Sequence, residues 1–306
     1  MSRMSLVSGL TFIVLAMVGN SASQAASIIN FDPNGTAGAT SLAVGQFDQA
    51  PGNALAVNAI ANGSVIFDTP FELLYQAKVA ALRDANNNTL VVPGVDTAGE
   101  LTIVARFNEI ASGTSTAASF STNTDQTGSF IEIYFDPGNN ANDLAGTGFN
   151  DGTLIYRGTI NQDGGGGFAV ISTNPVALDQ SPNGNQYSNL NSVTGAGGTL
   201  ITVDTEFQDS NFFLTDLSTF SFNFNTSNVV PFSQVDPAAM MFDGTPAATL
   251  ASLGAVNGLT GPNFLFQADA TASFAVIPEP TSSLLLSVGL VGMVGYRIRS
   301  RRSKVA

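Results

Sequence analysis

The feature that most constrains the fold is an alternation near the end of the chain. Phe264, Phe266, Ala268, Ala270, Ala272, Phe274 and Val276 share one parity, and Gln267, Asp269, Thr271 and Ser273 share the other. Successive side chains of an extended strand point to opposite faces, so this run predicts a strand with one buried and one wet face. The same pattern recurs at Phe71-Leu73-Tyr75-Ala77-Val79, Leu101-Ile103-Ala105-Phe107, Ile131-Ile133-Phe135 and Phe220-Phe222-Phe224. Further candidate strands cover 154–160, 168–172 and 200–207, each bounded by Gly, Asn, Asp, Pro or Ser. Helical periodicity is hard to find between them. Eight or more half-buried strands predict an all-β body, an antiparallel sandwich or jelly-roll-like fold. The 22 phenylalanines supply core volume in a chain without tryptophan. Stretches 137–152, 161–167 and 179–198 read as turns or binding loops, with Gly164–Gly167 a flexible turn between two strands.

Composition removes most catalytic chemistry. The chain has no Cys and no His. Disulfides, Ser-His-Asp and Cys-His nucleophile systems, and zinc sites built on those ligands are therefore excluded. No phosphate-binding Gly-rich loop with its Lys is present. Between residues 26 and 280 only Lys78, Arg83, Arg106 and Arg157 stand against all 23 carboxylates. Four scattered cations make no basic patch, so nucleic acid is not an expected partner. Arg106 faces opposite to Ala105 and Phe107 and is expected in a structural ion pair with an adjacent strand. Paired carboxylates remain as catalytic candidates: Glu72, Glu100, Glu109, Glu132 and Glu206. The plainer reading of all five is exposed carboxylates on wet strand faces.

Calcium prefers oxygen donors, and two segments offer them at close spacing. Asp84, Asn86 and Asn88 alternate like the start of a calcium loop, but Thr89 stands where the turn glycine belongs and Val95 where the closing Glu belongs. Asp136, Asn139 and Asp143 belong to a second oxygen-rich loop with Asn140 and Asn142. Asx-type turns are the competing reading of both.

The two ends read as addresses. Arg3, an apolar run from Leu6 to Val18, and Ser23-Gln24-Ala25 before Ala26 have the order of a secretory signal peptide. At the other end, Pro278-Glu279-Pro280 precedes an apolar segment, Thr281–Tyr296, and then Arg297, Arg299, Arg301 and Arg302. That segment is short against the about 20 residues of a stable span, and the arginines place its end on the cytoplasmic side. The division expected is a signal peptide at 1–25, a β-body at 26–277 and a sorting tag at 278–304. A permanent single-span anchor is the alternative to a transient one.

The tag resembles that of PEP-CTERM exported proteins of Gram-negative bacteria. The resemblance implies export by signal peptidase processing and transient inner-membrane anchoring. An exosortase-type membrane protease then removes the anchor and releases the body to the cell surface or matrix. Phe264–Phe274, Leu74-Tyr75-Gln76-Ala77 and Gly146–Ile155 are similar to a PEP-CTERM subgroup associated with flocculation, which implies a role in an exopolysaccharide matrix. The expected function is a structural or adhesive matrix protein, not an enzyme, contacting glycan through Gln267, Asp269, Thr271 and Ser273 and the long loops. The alternatives are a carbohydrate-binding module and a carboxylate-based glycoside hydrolase.

Overall fold

The computed structural model describes residues 27–276, except 61–64, 115 and 162–163. The signal peptide lies outside the described residues, as do Pro278, Glu279, Pro280, the apolar segment and Arg297, Arg299, Arg301 and Arg302. Among the described residues no helix is long and apolar enough to cross a membrane.

The body is nearly all strand. The strands are β1 (Ile29–Phe31), β2 (Leu42–Val44), β3 (Gln46–Gln49), β4 (Gly52–Val57), β5 (Val65–Arg83), β6 (Thr89–Val91), β7 (Glu100–Thr114) and β8 (Ala117–Thr122). They continue as β9 (Phe130–Asp136), β10 (Thr153–Ile160), β11 (Gly165–Ala177), β12 (Asn191–Gln208), β13 (Leu217–Val230), β14 (Val256–Asn257), β15 (Phe264–Ala268) and β16 (Thr271–Val276). The one described helix is α1 (Leu250–Leu253). Fourteen strands form one sheet, antiparallel except for the β12–β14 pair, and β1 and β2 form a small hairpin beside it.

That sheet closes on itself twice. One circuit runs β5-β7-β9-β10-β12-β13-β16-β3 and back to β5. The other runs β5-β7-β8-β11-β12-β13-β15-β4 and back to β5. The long strands β5, β7, β12 and β13 belong to both, while β3, β9, β10 and β16 complete one circuit and β4, β8, β11 and β15 the other. Backbone chemistry marks the change between β3 and β4, where Pro51 has no N–H to give to a ladder. Pro70 of β5 pairs with Ile110 on one side and lies beyond the β4 register, which stops at Glu72. Its missing donor therefore faces a side with no ladder to break.

The principal core lies inside the closed sheet. Tyr75, Phe107, Ile103, Phe220, Phe222 and Phe224 are all buried there, and each buried Phe contributes about 1.5–3 kcal/mol relative to an exposed one. A second, smaller core forms outside the wall. Leu55, Leu74 and Leu265 are adjacent on β4, β5 and β15, and Leu178, Leu190, Phe232, Met241 and Leu253 cover them.

Three expectations change. The run 264–276 is two strands, β15 and β16, interrupted at Asp269-Ala270, though its even positions from Phe264 to Phe274 stay on the core face. Gly165–Gly167 are part of β11, paired with β8 on one side and β12 on the other, and are not a turn. A Cβ on Gly166 would lie 2.0 Å from the Gly198 oxygen, so the two backbones meet where only glycine fits. The expected loop 179–198 ends early, because β12 already begins at Asn191.

Candidate functional site

The proposed glycan face separates into two parts. Asp269, Thr271 and Ser273 are half-buried, with outward parity. Gln267 is buried, and its Oε1 accepts hydrogen bonds from the backbone N–H groups of Ser233 and Gln234 at 2.9 and 3.0 Å. It belongs to a row of amides crossing the outer wall, in register with Asn53, which is in register with Gln76. Asn53 accepts from Ala238 N at 2.8 Å and donates to Asp236 O at 3.2 Å, while Gln76 Nε2 donates to Met240 O at 3.3 Å. The three side chains fasten the segment 233–240 to the wall. Gln267 is therefore a structural staple, because the covering segment takes the hydrogen bonds a glycan would need.

The three runs that carry the flocculation resemblance meet at this wall. Leu74 and Gln76 come from one and Leu265 and Gln267 from another. In the third, Gly146 has φ +74, and a Cβ there would lie 1.7 Å from Met240 O and 3.2 Å from Gln76 Nε2. That approach of backbone to backbone requires glycine.

The two oxygen-rich loops differ. Asp84 Oδ1 accepts from the N–H groups of Asn86 and Asn88, both at 2.8 Å, and Oδ2 accepts from Asn88 Nδ2 at 2.9 Å. The Asn88 side chain leads the hydrogen bonds that hold the Asp84 carboxyl below the usual range. This is an Asx turn between β5 and β6, with Asn88 presenting its donor to the carboxylate. In the second loop, Asp136 Oδ1 accepts from Gly138 N at 2.7 Å and Asp143 Oδ2 pairs with Lys78 Nζ at 2.7 Å. The other oxygens, Asp136 Oδ2 and Asp143 Oδ1, are buried without hydrogen-bond partners. Asn139 turns the chain there with φ +48. Among the described residues no three acidic side chains gather into a metal-holding group.

Two of the carboxylates considered for catalysis, Glu132 and Glu206, meet at one cation. Arg157 holds Glu132 and Glu206 at 3.0 and 3.5 Å, and Tyr134 donates to Glu132 at 2.7 Å. Arg106 bridges Glu72 at 3.3 Å and Asp243, the ion pair expected for it. Glu100 accepts from Ala141 N at 2.8 Å, and burial pushes its carboxyl up. With Arg83 on Asp48 at 2.6 Å, every cation of the described body is in an ion pair.

No family model, no curated protein and no solved structure matches this chain.

Three of the five depart from the exposed reading: Glu100 and Glu132 are only 8 and 7 % exposed, and Glu109 leaves the outer face altogether. It shares the parity of Leu101, Ile103, Ala105, Phe107 and Ala111 and points into the closed sheet, only 1 % exposed. Thr199 Oγ1 on β12 donates to its Oε1 at 3.3 Å. Burial in apolar surroundings pushes its carboxyl up to about 8, against a smaller lowering by Thr199. It lines a cavity of about 60 Å³ at the end closed by β4, β8, β11 and β15, with Ala56, Phe71, Ala111, Ala118, Phe168 and Phe264. The signal was present in the sequence: the inward alternation of β7 continues through 109 to Ala111.

Proposed function

We propose that this is an exported protein of the cell surface or extracellular matrix, with a structural or adhesive role tied to exopolysaccharide and cell aggregation. The observation that carries the reading is the ordered tag: Pro278-Glu279-Pro280, a short apolar segment, then Arg297, Arg299, Arg301 and Arg302, behind an N-terminal signal peptide. In this reading signal peptidase removes residues 1–25, the apolar segment holds the chain transiently in the inner membrane, and an exosortase-type protease releases the body.

The released part is a closed, sandwich-like β-body, and its properties suit a matrix role. Sheet closure limits the free strand edges through which β-proteins aggregate, so contacts fall to side chains and loops. The body cations are consumed in ion pairs, which leaves an acidic exterior suited to hydroxyl-rich partners and cations. Asp269, Thr271 and Ser273 are the remaining glycan-facing positions, without Gln267. Calcium belongs to this reading only at the loop of Asp136, Asn139 and Asp143, and its readout is a higher melting temperature in calcium than in chelator.

The test is mass spectrometry of the protein from cells with and without the sorting protease. Loss of residues 1–25 in both, and of the tag only where the protease is present, is the expected result. An intact tag in protease-containing cells, or unchanged flocs and biofilm after deletion of the protein, overturns the reading.

A further inference from the structure

The two ends of the closed sheet are filled differently. At one end Phe31, Phe47, Phe213, Phe220, Phe274 and Tyr156 interlock with ring centroids 4.9 to 6.3 Å apart. At the other, Phe71 packs on Phe120 and Phe168 on Phe264 and Phe266, at 4.9 to 6.5 Å, but Ala56, Ala111, Ala118 and Gly197 take the inward-facing places beside them and leave the cavity of about 60 Å³. At about 10–15 Å³ per water-sized atom, that is room for about four to six non-hydrogen atoms. The cavity adjoins a buried carboxyl. Among the described lining residues Glu109 is the one ionisable side chain.

We propose that this cavity is a binding site for a small, neutral, mostly apolar molecule carrying one hydroxyl, the class of the short-chain alcohols. The walls supply the apolar fit, and Glu109 with Thr199 supplies one polar spot. A carboxyl kept neutral at pH 7 both donates and accepts, which matches a hydroxyl group. A ligand ammonium or carboxylate would strand charge among apolar walls. A pure hydrocarbon would fill the space and leave the polar spot unused.

The test is a methyl NMR titration of the purified full chain at pH 6.5 with 1-butanol and with n-pentane, which have equal numbers of non-hydrogen atoms. Saturable shifts of the Ala56 and Ala111 methyls are expected with 1-butanol, at a Kd of about 1 mM for so small a ligand. Glu109→Leu should weaken 1-butanol about fivefold, the worth of one hydrogen bond, and leave the n-pentane shifts unchanged. Ala118→Phe, at the half-buried rim, should abolish both while the methyl spectrum stays dispersed. Non-saturable 1-butanol shifts, unchanged 1-butanol binding in Glu109→Leu, or an equal loss of both probes in that variant each overturn the proposal.

Discussion

Asp32 and Glu109 are both buried carboxyls, 0 and 1 % exposed, and their acidities move in opposite directions. Burial alone raises both. Asp32 lies in the loop after β1, beside the aromatic end, where Phe31 packs on Phe47 and Phe213. There it accepts hydrogen bonds from Asn34 N, Gly38 N, Thr40 N and the hydroxyls of Thr36 and Thr40, at 2.5 to 3.3 Å. Those donors overcome the burial penalty and hold it well below the usual range. Glu109 sits within a strand whose backbone is paired with Phe71 on one side and Thr122 on the other. The ladder has already taken the N–H groups around it, and Thr199 reaches it from across the interior. A loop can turn its backbone donors onto a buried charge; a central strand cannot, so its buried acid stays neutral.

The comparison breaks most visibly in pH. The Glu109 carboxyl titrates near 8 when folded, against 4.5 for the unfolded chain, so the native state binds the extra proton between those values. Its contribution therefore makes the parent protein less stable as pH rises from 4.5 through 8, by about 4–5 kcal/mol in total, and levels off above. Glu109→Gln should remove that slope and be the more stable form at pH 8 and above, as read by urea denaturation across the range. Asp32→Ala should behave in the opposite sense. It should cost about 2–4 kcal/mol at pH 7, because several buried donors lose their acceptor. Denaturation at falling pH should show the deficit shrinking below 3.8, where the unfolded chain's carboxylate takes up a proton that the folded one does not.

The smallest effects test the filling of the two ends. Ala272, fully buried and in register with Phe47, lies at the aromatic end, so Ala272→Leu should cost about 1–3 kcal/mol by overpacking. Ala56 lines the cavity, so Ala56→Val should be neutral or gain up to about 1 kcal/mol. Equal losses for the two variants would show that the ends are packed alike.

Much of the fold was legible in the alternation. Phe71–Val79, Leu101–Phe107, Ile131–Phe135 and Phe220–Phe224 all fall on strands with the expected face inward. Strands β1, β2, β3 and β4 escaped because short runs with small or polar residues carry little periodic signal. Glu109 was misplaced although its parity was correct, because a lone acid on an apolar face reads most simply as a departure from the pattern. Asp84 was legible as an Asx turn in the competing reading, since Asn86 and Asn88 supply donors as readily as oxygens.

The alternation with which the chain announces itself determines by itself that the body is all-β and which residues of each strand share a face. That information is local, because side-chain direction follows from backbone geometry over two residues. Only the tertiary structure decided that the strands close two circuits and leave a cavity among the rings and alanines of one end. It also decided that the outward-facing Gln267 is dry while Asp269, Thr271 and Ser273 keep partial exposure. Those outcomes depend on what distant segments lay against a strand, and parity names the two faces without saying what covers either.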